Sequence, residues 1–128
     1  MGQELVLCQP HFVRLSVRLW MECAQMEHAY DLQKQTLESI RRFIDPLDGG
    51  FGGGGWEIGT VPTVRQLLAY LKIRHPEATV SRLVMTARSG EEEYEVGDDL
   101  LSHVQNPFVM AVNGEHVVYV ELRGERPL

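Results

Sequence analysis

The residues best suited to chemistry are a glycine run, five histidines, an acidic cluster and two cysteines. Gly50-Phe51-Gly52-Gly53-Gly54-Gly55 formally contains G-x-G-x-x-G, the pattern that brings backbone amides close to a dinucleotide pyrophosphate. That chemistry needs a strand before the glycines and a helix opening directly after them. Here the preceding segment reads as a helix, the next helix starts several residues later, and no Gly-Lys-Ser/Thr follows. His11, His28, His75, His103 and His116 are scattered without metal-ligand spacing. Glu91-Glu92-Glu93 with Glu95, Asp98 and Asp99 lacks the alternation and central glycine of a calcium loop, and reads as a solvated loop or an interface rim. Cys8 and Cys23 make neither a disulfide framework nor a zinc site, and Cys23 continues an apolar face as a buried thiol. No nucleophile-elbow motif is present. The expectation is a non-enzymatic chain with no catalytic residues, no metal and no cofactor.

Composition points the same way. At 44% apolar and 23% charged residues the chain has the make-up of one ordinary globular domain spanning residues 1–128. A net charge of -6 argues against nucleic acid as a partner, because neutralising phosphates requires a basic surface. No run reaches the ~20 apolar residues of a membrane span, and the N-terminus lacks a signal-peptide pattern, so no membrane partner is expected. Val6 stands where a myristoylation motif would want Ser or Thr.

The elements that would position any site follow from periodicity. Val13, Leu15, Val17, Leu19, Met21 and Cys23 alternate with Arg14, Ser16, Arg18 and Glu22, which predicts a strand with one buried face. Trp20 interrupts the polar side, which suits covering an edge or a partner. Leu5 to Cys8 reads as a short strand or arm, closed by Pro10. From about Met26 to Ile44, apolar residues at Met26, Tyr30, Leu37, Ile40 and Ile44 predict an amphipathic helix, stopped at Asp45 by Pro46. Thr63 and Gln66 have capping-box spacing, and Val64, Leu67, Leu68 and Leu71 carry a second helix to the neighbourhood of Pro76. Thr79 to Ala87 reads as a central strand, and Ser89 to Asp99 as a loop or short exposed strand. Leu100 to Val104 suits one helical turn. Phe108–Val112 and His116–Leu122 read as two strands of a hairpin around Asn113-Gly114. The sum is an α+β two-layer sandwich, two helices on one face of a mostly antiparallel sheet of three to five strands.

Between the two helices lies the stretch around which the chain is organised. Seven of twelve glycines fall between Phe43 and Pro62, together with Phe51, Trp56 and Ile58. Flexible linkers carry no such apolar anchors, so the glycines predict a compact loop pinned by a largely buried Trp56.

Ile40-Arg41-Arg42-Phe43-Ile44-Asp45-Pro46-Leu47-Asp48-Gly49-Gly50, followed by Gly55-Trp56-Glu57-Ile58-Gly59, resembles the L-x-x-F-L-x-P-L-x-G-G … G-W-x-x-G stretch of the baseplate J family. Those proteins are wedge components of contractile phage tails and related injection systems. Pro10 to Val17 is similar to that family's Pro-x-hydrophobic lead into a Val-rich strand, and the likeness covers about residues 5 to 87, the C-terminal part of the longer family members. The sequence departs from the pattern at Pro76-Glu77-Ala78-Thr79-Val80, where the family has a Gly-Val pair. The resemblance implies a structural assembly module of a virion tail baseplate or injection-machine particle, assembled in the bacterial cytoplasm. Its partners would be other baseplate or tail proteins, with self-association also open. Pro46, Gly49, Gly50, Gly55, Trp56 and Gly59 would be its structural loop, and Trp20 and Phe51 its candidate interface residues. The competing expectation is a small ligand-binding or regulatory α+β domain with an anion near the Thr63 helix start.

Overall fold

The computed structural model describes residues 11–57, 59–96 and 109–122. The arm at Leu5–Cys8, Pro10, the anchor Ile58, Asp98 and Asp99, the helical turn at Leu100–Val104, His103, Phe108 and the tail after Leu122 lie outside them.

Strand β1 spans His11–Cys23. Its odd residues Val13, Leu15, Val17, Leu19 and Met21 are essentially sealed from solvent, while Phe12, Arg14 and Arg18 on the other side are exposed. One strict period-two pattern therefore separates a dry face from an open one. A short 3₁₀ turn at Met26–His28 leads into helix α1, Ala29–Ile44. Its buried stripe is Leu32, Thr36, Ser39, Ile40, Phe43 and Ile44. Met26 and Tyr30, expected on that stripe, are about two-thirds exposed at 69% and 70%. Helix α2, Val64–Arg74, buries Leu67, Tyr70 and Leu71 and opens on both arms of the expected capping box. Gln66 N–H donates to Thr63 Oγ1 at 3.2 Å, and Thr63 N–H donates to Gln66 Oε1 at 2.9 Å.

Strand β2, Thr79–Ser89, runs antiparallel to β1 and turns at Gly90-Glu91 into the short β3, Glu92–Glu95. Two further strands, β4 (Val109–Asn113) and β5 (Val117–Leu122), make the sheet five-stranded among the described residues. α1 packs against β4, β5 and β1, α2 packs against β2, and the helices touch each other. Both therefore cover the same face, around one continuous core. The fold is the α+β sandwich expected, with β1 in the middle of the sheet.

The chain end of the sheet differs from expectation. β4 and β5 are not a hairpin: both run parallel to β1 along the same edge, β4 beside His11–Leu15 and β5 beside Arg18–Cys23. Asn113-Gly114 is a bulge in one interrupted strand. Leu15 pairs with Asn113 and Arg18 with Val117, so three steps on β1 face four on its neighbour. Gly114 is there for close approach: a Cβ would collide with Ser16 Oγ and sit 3.0 Å from Leu15 O, to which Gly114 N–H donates at 2.7 Å. Asn-Gly signals a turn only where the flanking strands pair with each other, and here a longer-range partner takes both.

Candidate functional site

The most elaborately built local structure is the loop between α1 and α2. Asp45 leaves the helix at φ -54°, ψ 125°, and its Oδ1 accepts the N–H groups of Leu47 (2.8 Å) and Asp48 (3.0 Å), which turns the chain through Pro46. Gly49 N–H then donates to Asp45 O at 2.8 Å and Gly50 N–H to Phe43 O at 3.0 Å, so the loop satisfies carbonyls that the helix end would leave unpaired. A Cβ on Gly49 would collide with the carbonyl oxygens of Asp45, Phe43 and Arg42. Only glycine fits so close to a helix terminus.

The loop closes on itself where Gly55 N–H donates to Gly49 O (2.9 Å) and Trp56 N–H to Pro46 O (3.0 Å). Gly55 holds φ +87°, and a Cβ there would lie 2.6 Å from both Pro46 O and Leu47 O. Gly50, Gly53 and Gly59 are the other positive-φ positions of the loop. Trp56 is half-buried and packs against the core. Its Nε1–H donates to Phe43 O at 2.7 Å, and its ring meets that of Phe43 edge-on at 5.3 Å. Phe43 thus receives the indole from two directions, by its carbonyl and by its ring. Phe51 touches Phe43 and Tyr70 at 5.2 and 5.9 Å yet remains 54% exposed. Gly59 N–H donates to Val109 O at 2.9 Å, tying the loop's exit to β4.

Trp20 lies on the open face of β1, in the middle of the sheet rather than at an edge. It stacks on Tyr119 at 5.1 Å, and Arg82 sits 5.1 Å over its ring.

Two polar networks went unread in the sequence because each depends on residues far apart in the chain. At the bulge, Val17 N–H donates to His116 Nδ1 (3.1 Å), His116 Nε2 lies 2.8 Å from Asn113 Oδ1, and Asn113 Nδ2 donates to Arg41 O (2.9 Å). With Nδ1 accepting, the imidazole is neutral and its proton is on Nε2. Burial, then the charge of Arg41, pushes His116 down to about 4. Between the helices, Ser39 Oγ and His75 Nε2 are 2.9 Å apart and buried. Burial is the main cause that lowers the His75 pKa; Glu77 opposes it and Arg74 adds to it.

Ser39–His75 is a buried serine–histidine contact. Ser39 is in the interior of α1, where backbone amides are spent on the helix. No group of three His, Cys, Asp or Glu is placed to hold a metal among the described residues. The loop amides from Gly49, Gly50, Gly55 and Trp56 go to carbonyls, as a structural clasp requires.

No family model and no curated protein matches the chain.

Proposed function

We propose that this chain is a structural assembly module of a phage-tail-like baseplate wedge, acting through protein–protein contacts and catalysing no reaction. One observation carries the reading. The residues that resemble the baseplate J stretch, Pro46, Gly49, Gly50, Gly55 and Trp56, are interlocked with one another and with Phe43 at the end of α1. A motif of that kind is a scaffold's signature, since its members hold backbone in place rather than face a substrate. The alternative of an anion-binding domain would place its ligand at the start of α2. There Thr63 and Gln66 already use their side chains and amides on each other.

The test is to purify sheathed particles from the source cells and quantify this chain in them by mass spectrometry. The reading expects it to co-purify with sheath and tube proteins at a fixed ratio. Recovery of the chain only in particle-free fractions overturns it.

A further inference from the structure

The sheet face opposite the helices has a composition unlike the rest of this acidic chain. Read across the strands, Tyr119, Trp20 and Arg82 form one row, Val117, Arg18 and Val84 the next, and Val112, Arg14, Arg88 and Glu93 another. Four of the chain's twelve lysines and arginines are on this face, all four exposed. Arg14 stands directly opposite Arg88 in the antiparallel register. Like charges so placed weaken a sheet, a cost that an anionic partner would remove. The polar pair Ser16–Thr86 lies between Arg14–Arg88 and Arg18, and apolar surface flanks the cations. Val84 is buried outside the helix-side core, and Phe12, Val117 and Tyr119 are exposed at 54%, 41% and 43%.

We infer that this open face docks an acidic polypeptide segment with apolar side chains flanking its carboxylates. One carboxylate would sit on the Arg14–Arg88 pair and another on Arg18, four residues and about 13 Å along β1. One apolar side chain of the segment would lie against Phe12 and another against Val117, about 20 Å further along the face. Arginine suits this role because its fork takes a carboxylate bidentately while its stem covers apolar surface. A nucleic acid fits less well. Its unbroken charge would meet Glu93 and Glu115, which line the same surface, and Trp20 is already engaged by Tyr119 and Arg82. The inference rests on the reading of the chain as a protein-binding module, but not on which machine it serves.

The test is a nuclear magnetic resonance titration of the isotope-labelled full chain with a short synthetic peptide that carries glutamates and leucines on the same side when extended. Amide shifts are expected in β1, the second half of β2, and β4–β5, with the outward faces of the helices silent. Affinity should fall with added salt. It should also fall roughly tenfold in an Arg14→Ser, Arg18→Ser double variant, about 1.4 kcal/mol. Lys34→Ser and Lys72→Ser, on the exposed sides of α1 and α2, should change nothing. The double variant should be at least as resistant to urea as the parent, since it relieves the Arg14–Arg88 repulsion, so lost binding is separable from lost folding.

Any of four results overturns the inference: no shifts on the face; preferential binding of an oligothymidine; concentration-dependent self-association through the face without peptide; or contacts in the free chain between the face and residues 1–10, 97–108 or 123–128. A silent face in a chain that still co-purifies with particles removes the docking surface alone. A peptide-binding face in a chain absent from particles removes the baseplate assignment alone.

Discussion

Replacing the loop glycines one at a time by alanine should separate them into three classes. At Gly52 and Gly54 φ is not positive and an added Cβ meets nothing within 4 Å. Alanine there removes freedom from the unfolded chain at no cost to the fold, worth about 0.4–1 kcal/mol of added stability. Gly53 has open space but φ +73°. Alanine should cost about 1–2 kcal/mol there, the penalty of the left-handed region. Gly55 combines φ +87° with backbone oxygens 2.6 Å from the new Cβ. Relief of that clash requires the Gly55–Gly49 and Trp56–Pro46 hydrogen bonds to open, at about 1 kcal/mol each in addition to the φ penalty, or about 3–4 kcal/mol in all. Urea unfolding followed by tryptophan fluorescence reads the difference directly. With a slope of about 1–3 kcal/mol per molar urea, Gly55→Ala should move the midpoint down by about 1–4 M while Gly52→Ala moves it slightly up. Equal midpoints for Gly52→Ala and Gly55→Ala would refute the clasp, leaving a loop that does not hold this closed form in solution.

Three further outcomes follow from single contacts. Trp56→Phe keeps a ring against Phe43 but loses the indole donor, and should cost about 1 kcal/mol because Gly50 N–H still satisfies Phe43 O. Trp56→Ala should cost about 2 kcal/mol, below the usual ~3–5 because the side chain is half-buried, and Glu57→Ala should cost little; denaturant midpoints check all three. Thr36 is fully buried in α1 and its hydroxyl has no hydrogen-bond partner, so Thr36→Val should raise stability by about 1 kcal/mol in the same assay. His116 has a folded pKa near 4 against an ordinary 6.5, so the unfolded chain binds the extra proton between those values. Stability is therefore full above pH 6.5 and falls as pH drops through that window, by roughly 1 kcal/mol from pH 7 to 5 after discounting for partial exposure. The lowered His75 adds in the same direction. His116→Gln should flatten the pH dependence of the urea midpoint, and an unchanged slope would show that the bulge histidine is not the group that titrates.

What the sequence disclosed, and what it withheld, divides along the distance between interacting residues. The alternation from Val13 to Cys23 and the Thr63–Gln66 box are local rules, and the strand and the helix start stand where those rules put them. The face of α1 was harder to read, because two of its buried positions are Thr36 and Ser39 while apolar Met26 and Tyr30 face water. Asn113-Gly114 misled for a different reason. Its turn preference was outweighed by a β1 edge about a hundred residues away, where both flanking strands found hydrogen bonds. For the same reason the arginine face was invisible: Arg14 meets Arg88 only once register is known.

The parallel pairing of β1 with β4 and β5 also bears on how the molecule is made. A strand near residue 20 is hydrogen-bonded on one side to residues 79–88 and on the other to residues 109–122. Val17 and His116, bonded across the bulge, are 99 positions apart. At roughly 5–20 residues per second, a ribosome that has finished β1 needs about 5–20 s more before its second neighbour exists. During that interval the longest strand among the described residues has an unpaired edge. The helices can shade its inner face, but they cannot supply the missing backbone partners. The nascent chain is thus most vulnerable to aggregation and most dependent on chaperones just before its final strands appear, and a stall or truncation upstream of Val109 should yield insoluble product rather than a smaller stable domain.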